Sequence, residues 1–335
     1  MKKHTSLILV ALFGAVSAYG QTTTATTIPV GYVTQGEAGG VLQNNTDYRL
    51  SVPLERTTAF AGTVSAVATN TITITGAAFT PSQWTTIPHY VKITSGAKAG
   101  FLAAIDSHDA TSVTVTPQSG QSLTGVVSGD KLSIQEAWTI GNFFESITVP
   151  AGLEVDLFSG TVAGINVAVD QIFNYDGGWF DGNGDPADNT VIYPGESFIV
   201  RNATGSSVTG LVVIGQVPVS PYTVVLQNVD AGQPQDIPFG IFSPVAQTFT
   251  ATNLTSVANA GDTILIYDLA ATGLNLSNAS SLDYDGSGWI DSVSGDYITE
   301  GTYEMAASGL GYVYRRIATG TDGVWTFTPS YAAGL

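Results

Sequence analysis

The chain has 335 residues, only 11% of them charged, and its 27 acidic residues outnumber 10 basic ones to give a net charge of −17. Such an acidic protein repels phosphate backbones and anionic lipid headgroups, so we expect no nucleic-acid partner and no direct membrane binding. The chain has no cysteine, which excludes disulfides and thiolate chemistry. Abundant Gly, Thr, Ser and Val are typical of strands and turns and predict an all-β protein.

The first twenty residues have the pattern of a secretory signal peptide. Lys2 and Lys3 precede an apolar stretch at 7–16, and Ala18 and Gly20 both suit cleavage. The apolar stretch is too short to span a bilayer, and no later stretch reaches about 18 apolar residues. We therefore expect an exported protein, secreted or at the cell surface, with no transmembrane segment. Without the signal, 8 basic residues against 27 acidic ones give a net charge of −19.

One pattern of aromatic, Asp, Gly and Trp residues occurs twice along the chain. Residues 175–179 read Tyr-Asp-Gly-Gly-Trp, and residues 284–289 read Tyr-Asp-Gly-Ser-Gly-Trp. Each predicts two strands joined by a tight turn that glycine permits. The similarity continues downstream, where residues 195–201 and 309–315 both end in an apolar strand pattern followed by Arg. We interpret the chain as two related β units of the sandwich or jelly-roll kind.

An inserted segment at 57–136 has no counterpart in the second half of the chain. It contains six short segments in which polar and apolar residues alternate, at 62–67, 71–75, 89–94, 100–105, 112–116 and 130–134. This rhythm predicts a small barrel or sandwich, and we expect an inserted β-barrel module.

The insertion divides the chain into four parts. The predicted organisation is a signal peptide at 1–20, a first β unit at 21–56 plus 137–218, the inserted module at 57–136, and a second β unit at 222–335. Short helical turns are expected only at 142–146 and 277–281.

Several motifs in the first half resemble those of a known family. These are Pro-Val-Gly-Tyr-Val at 29–33, Tyr-Asp-Gly-Gly-Trp at 175–179 and Ser-Phe-Ile-Val-Arg-Asn at 197–202, all after a signal peptide. The chain resembles an uncharacterised family of exported verrucomicrobial β-proteins over most of residues 28–218. The resemblance implies export and a β-fold, and it implies no activity, ligand or catalytic residue.

Acidic side chains in the second repeat follow the first nine positions of a calcium loop. Asp283, Asp285 and Ser287 supply oxygens at alternate positions, Gly286 permits the sharp turn, and Asp291 stands at position nine. Position twelve is a serine where a bidentate Glu is expected. The alternative is a hairpin turn whose acids accept hydrogen bonds from backbone N–H groups.

A second acidic segment follows the first repeat. Asp181, Asn183, Asp185 and Asp188 again offer oxygens at short intervals, so calcium is the candidate cofactor there too. The alternative is a solvated Gly/Asp/Pro loop between strands.

The repeated aromatic residues are candidate ligand-binding residues. Tyr175, Trp179, Tyr284 and Trp289 stand beside acids, a combination with which proteins stack on sugar faces and bind sugar hydroxyls. The alternative is that each tryptophan packs across its hairpin or into the core. Exposed tryptophans would favour sugar binding, and buried ones would favour a structural role.

Hydrolase chemistry has little support in the sequence. No Gly-x-Ser-x-Gly, Ser-x-x-Lys or His-Glu-x-x-His motif occurs, and His89 and His108 are in no metal-ligand pattern. We expect a non-catalytic surface or extracellular protein that acts by adhesion or self-association with itself or other surface proteins. Unpaired strand edges in the duplicated units would serve that role, and the Thr-rich leader at 21–27 together with 28–34 is a candidate strand to add to a neighbouring molecule. The alternative is a carbohydrate-binding protein, with calcium as a candidate cofactor and polysaccharide as the partner.

Overall fold

The computed structural model describes residues 28–84, 86–118, 120–158, 162–228, 230, 232–305, 309–317 and 321–334. The predicted signal peptide lies outside them. The protein is nearly all β, with 42% of residues in strands and 5% in helices, which confirms the predicted fold class. Within these residues no helix has the length and apolar character needed to cross a membrane.

The strands follow one another closely along the chain, with few helical residues between them. Before and within the inserted segment they are β1 (Val30–Thr34), β2 (Thr46–Ser51), β3 (Thr58–Ala68), β4 (Thr71–Ile74), β5 (His89–Ile93), β6 (Leu102–His108), β7 (Ser112–Pro117) and β8 (Lys131–Glu136). The rest of the first unit contains β9 (Trp138–Thr139), α1 (Ile140–Phe143), β10 (Leu153–Leu157), β11 (Gln171–Tyr175), β12 (Trp179–Phe180), β13 (Val191–Ile192), β14 (Ser197–Asn202) and β15 (Val212–Gln216).

The second unit has a similar succession of elements. They are β16 (Tyr222–Leu226), β17 (Gln235–Gly240), β18 (Gln247–Thr248), α2 (Phe249–Thr252), β19 (Thr263–Ile266), β20 (Ser280–Tyr284), β21 (Trp289–Asp291), β22 (Glu304–Met305), β23 (Gly311–Arg316) and β24 (Gly323–Phe327), with 3₁₀ helices at Leu254–Val257 and Ser330–Gly334.

Strands β3 to β8 close into a six-stranded barrel in the order β3-β4-β7-β6-β5-β8. The barrel therefore occupies the segment for which alternating polarity predicts a β-barrel module. Its inward-facing residues, among them Val64, Ile72 and Val91, form a core of their own, as full closure of a small barrel requires. A buried ion pair attaches the barrel to the first unit, because Lys92 Nζ lies 2.5 Å from Glu55 Oε1.

The two units contain five-stranded sheets with the same strand order. In the first unit the order is β2-β14-β10-β11-β12, and in the second it is β17-β23-β19-β20-β21. Each unit also has a two-stranded ribbon in which its first strand pairs antiparallel with its last, β1 with β15 and β16 with β24. One hydrophobic core runs through both units, from Val33 to Phe327.

Local signals placed the hairpins well and the helical turns less well. Tyr175 pairs with Trp179 and Tyr284 with Trp289, as the repeated pattern predicts. The helical turn expected at 142–146 forms slightly earlier, as α1. The one expected at 277–281 is wrong, because Ser280–Tyr284 is a strand that pairs with β19.

A reciprocal contact joins the units, and we call each half of it a clasp. In the first clasp, Arg201 forms a two-point ion pair with Asp47 (2.8 and 3.0 Å) and donates to Asn275 of the second unit. The Asn275 N–H in turn donates to Asp47 at 2.6 Å.

The second clasp reverses the roles of the units. Arg315 pairs with Asp236 at 2.7 and 2.9 Å and donates to Asn166 of the first unit, whose N–H donates to Asp236 at 2.7 Å. Both asparagines have positive φ, 49° at Asn166 and 57° at Asn275, a conformation that Asn adopts more readily than most residues. In each clasp, therefore, an asparagine in a loop of one unit forms hydrogen bonds with an Asp–Arg ion pair of the other unit.

Candidate functional site

The predicted calcium loop of the second repeat folds as a hairpin, with strand at both ends and not as one continuous loop. Asp283 lies in β20, where its carboxylate accepts hydrogen bonds from Thr263 and Ser281. Asp285, in the turn, accepts from the backbone N–H groups of Ser287 and Gly288 at 2.7 and 3.0 Å and from the Tyr297 hydroxyl. The Tyr297 hydrogen bond, followed by those from the backbone, lowers the pKa of Asp285.

The other two candidate calcium ligands of that repeat, Asp291 and Ser287, do not join Asp283 and Asp285 in a common site. Asp291 accepts from Val293 N and Ser294 N, at 2.7 and 3.2 Å. The side chain of Ser287 is exposed at the hairpin turn. Asp285 and Asp291 therefore stabilise their own turns, as in the alternative that the sequence left open, while Asp283 supports the pairing of β20 with β19.

The acidic segment of the first repeat is also organised by its own backbone. Asp181 Oδ1 accepts from Asn183 N and Asp185 N, both at 2.9 Å, and these hydrogen bonds lower the pKa of Asp181. Asp188 instead turns toward Trp179 N, at 3.4 Å. Within the described residues, no group of three or more His, Asp or Glu side chains is placed to share a metal. Calcium binding by these residues stays a prediction.

The repeated tryptophans lie in the shared core. Trp179 is 1% exposed and Trp289 is 0% exposed, so neither indole offers a face to a sugar, and this correction removes the predicted surface platform. Tyr175 packs on Trp179 at 5.3 Å between ring centroids, and Tyr284 packs on Trp289 at 5.0 Å. Burial arises because both hairpins turn their tryptophan toward the core that the two units share.

An exposed apolar ribbon is formed by β1 and β15. Val30, Tyr32 and Ile214 are 68%, 74% and 56% exposed, and Tyr32 and Ile214 are cross-strand partners. Within the described residues, β1 is hydrogen-bonded to β15 along one edge, and no strand pairs with its other edge. We call this surface the open ribbon.

A cavity of about 260 Å³ lies where the barrel and the two units meet. We call it the junction cavity. The barrel contributes the β7–β8 loop, the first unit contributes β10, β11 and the turn before β14, and the second unit contributes β16 and β17. Its polar lining residues are Gln118, Gln121, Gln171, Tyr193, Glu196, Ser197, Gln227, Gln235 and Asp236.

Glu196 is the acidic group that the barrel loop holds in the junction cavity. Gln118 Nε2 donates to Glu196 Oε1 at 2.9 Å. Gln121 Nε2 donates to Gln118 Oε1 and to the carbonyl of Thr223, both at 3.2 Å. Desolvation by the surrounding protein raises the pKa of Glu196 to about 7, against the opposing effect of hydrogen bonds from Gln118 and the Tyr193 backbone. The carboxyl is therefore both a donor and an acceptor near neutral pH.

Sequence reasoning missed the junction cavity. Glu196 lies in a repeated strand pattern and Gln227 in the repeated Val-Leu-Gln-Asn of 41–44 and 225–228, whereas Gln118 lies in a segment with no recognisable motif. The three residues come from modules far apart along the chain, so no local spacing announces that they meet. The one local signal is Gly120, whose φ of +76° and close approach to Val225 and Gln227 leave no room for a Cβ.

Comparison with known proteins identifies no relative of this chain. No family model, no curated protein and no solved structure matches the chain. The resemblance to exported verrucomicrobial proteins stays a prediction.

Proposed function

We propose that this protein is exported and acts without catalysis, as a surface or extracellular component that associates with further copies of itself through the open ribbon. The observation that carries the proposal is the exposure of Val30, Tyr32 and Ile214 beside a strand edge that has no partner among the described residues. Unpaired edges template the addition of another strand. Export rests on the signal-peptide pattern of the first twenty residues.

The second unit supports the proposal by contrast. There the ribbon of β16 and β24 is covered along its β16 edge by the barrel, because Thr223 N donates to the Gly100 carbonyl at 2.9 Å and Gln121 donates to the Thr223 carbonyl. The chain thus uses one ribbon edge for an internal contact. In the part of the chain that the structure describes, the corresponding first strand of the other unit, β1, has its second edge available for an external contact.

A second copy of the chain suits the open ribbon because β1 and β15 contain no charged residue. Pairing of β1 with the same strand of another molecule about a two-fold axis brings like surfaces together. The strong net negative charge of each copy is screened over about 8 Å at physiological salt. Electrostatic repulsion between two copies is therefore smallest where the surfaces in contact carry no charge.

Size-exclusion chromatography with light scattering tests this function. Tyr32→Ser combined with Ile214→Ser should leave the mature protein monomeric at concentrations where the wild type associates. Val293→Ser combined with Val324→Ser is the matched control, because it removes two exposed apolar side chains elsewhere, 76% and 60% exposed. A wild type that stays monomeric up to millimolar concentration would contradict the proposal.

The second candidate function is carbohydrate binding. The buried tryptophans remove the observation that favoured it at the hairpins. The junction cavity favours it at a different place, between the barrel and the two units.

A further inference from the structure

The junction cavity has the mixed lining of a small-molecule site. Beside its amides it has an apolar wall made of Leu157, Phe158, Val224, Ile237 and Pro238. Binding sites for small molecules combine an apolar surface with a few fixed polar groups, and they occur preferentially where domains meet. Its volume is slightly below the usual range for drug-sized ligands, roughly 300–1,000 Å³, so it suits one or two sugar rings.

Charge in the junction cavity disfavours anions. The lining contains the carboxyl groups of Glu196 and Asp236 and, among the described residues, no lysine or arginine. Arg315 already neutralises Asp236 through the clasp. An anionic ligand would therefore meet Glu196 without a compensating cation, whereas a neutral ligand meets no charge that it must pair.

Some polar groups of the cavity are held in place and others are available. Gln118 and Gln121 are fixed by the hydrogen bonds that orient Glu196. The side-chain amides of Gln171 and Gln227 form no hydrogen bond with any other described residue while they line the cavity. Each amide offers both a donor and an acceptor, which is what a hydroxyl group pairs with.

We propose that the junction cavity binds a neutral saccharide of one or two rings, with Glu196, Gln171 and Gln227 pairing its hydroxyls and Phe158 contacting the C–H face of a ring. This site is distinct from the open ribbon and from the hairpin aromatics. It requires the barrel, since Gln118 orients Glu196, and this gives the inserted module a role in recognition.

Isothermal titration calorimetry with glucose, galactose, N-acetylglucosamine, maltose and cellobiose tests the proposal on the mature protein. At least one of these should bind saturably, and Glu196→Ala should weaken it at least tenfold. Glucuronate should bind at least tenfold more weakly than the tightest-binding of these saccharides. Glu304→Gln, at an exposed strand position, is the matched control and should bind within twofold of the wild type.

A second variant guards against a folding defect at Glu196. Gln171→Ala removes an exposed side chain with no described partner, so its melting temperature should equal that of the wild type while saccharide binding weakens severalfold. Saturable binding by none of the five saccharides overturns the proposal. So does binding that both variants leave unchanged, or glucuronate bound as tightly as the tightest-binding saccharide. Self-association of the Glu196 variant should be normal, which separates this test from that of the open ribbon.

Discussion

The two five-stranded sheets share a strand order but differ in the side chains at the place where they touch. In the first unit the cross-strand pair Ser51 and Ser197 faces the second unit. In the second unit the cross-strand pair Gly240 and Gly311 faces these two serines. A Cβ on Gly311 would lie 2.5 Å from Ser197 Cβ, and one on Gly240 would lie closer still to Ser51 Cβ. Related surfaces can pack this closely only when one supplies the side chains and the other leaves the space.

A second difference lies on the neighbouring strands. Asp156 of β10 pairs with Ile199, and the residue at the same place in the second sheet is Leu265, which pairs with Val313. Asp156 is buried, and desolvation, followed by the charge of Glu154, raises its pKa to about 7. The first sheet thus carries a buried acid where the second has an apolar side chain.

The largest expected effect comes from filling the space left by glycine. Gly240→Ala should lower the free energy of unfolding by about 3 kcal/mol, because its Cβ overlaps Ser51 in a packed interface. Thermal and urea unfolding measure it. Adding Ser51→Gly should recover part of the loss. Gly205→Ala, with no atom within 4 Å of the added Cβ, is the control, and an equal loss there would refute the packing explanation.

Breaking either clasp should have the next largest effect. Asp47→Asn and Asp236→Asn each remove the carboxylate of a two-point ion pair, which should cost about 2 kcal/mol. Arg201 also lies 3.3 Å from Glu154, so the loss at Asp47 should be slightly the smaller. Urea unfolding of the two variants checks this. Values that differ by more than about 1 kcal/mol would show that the clasps are geometrically alike but energetically different.

Asp156, the buried acid of the first sheet, should make the free energy of unfolding depend on pH. A carboxyl whose pKa is raised by folding binds more protons in the folded state, so its contribution to stability is complete below about pH 4 and is lost as the pH rises to about 7. Glu196 contributes with the same sign. Asp156→Asn should therefore raise the free energy of unfolding at pH 8 by about 1 kcal/mol.

Melting temperatures of the wild type and this variant between pH 5 and pH 8 measure the slope. The melting temperature of Asp156→Asn should fall less steeply with rising pH than that of the wild type. The decrease that remains should be the one caused by ionisation of Glu196. An unchanged slope would mean that Asp156 ionises normally in the folded protein.

Calcium should have the smallest effect. Asp181 and Asp285 already accept hydrogen bonds from their own turns, so a cation must compete with them, and millimolar calcium should stabilise by less than about 1 kcal/mol. Melting in calcium and in chelator measures this. A rise of several degrees that Asp181→Ala abolishes would establish the first predicted calcium site.

Local sequence signals predicted the hairpins and the barrel strands, because glycine turns and alternating polarity act over a few residues. They did not predict α2, a single turn at Phe249–Thr252 capped by the Thr248 hydroxyl, since four residues show no helical period. Local signals also left open whether Trp179 and Trp289 are exposed. Alternation of polar and apolar residues along a strand does not show which face of the sheet another unit covers. The junction cavity depends on three distant segments, and so no single motif could reveal it.

Hydrogen–deuterium exchange at several protein concentrations tests most directly whether the two ribbons differ in use. The backbone amides of Val30–Thr34 should become more protected as concentration rises, because β1 gains a partner strand. Those of Tyr222–Leu226 should show constant protection, because the barrel already occupies that edge. Exchange of Val30–Thr34 that is independent of concentration would contradict self-association through the open ribbon.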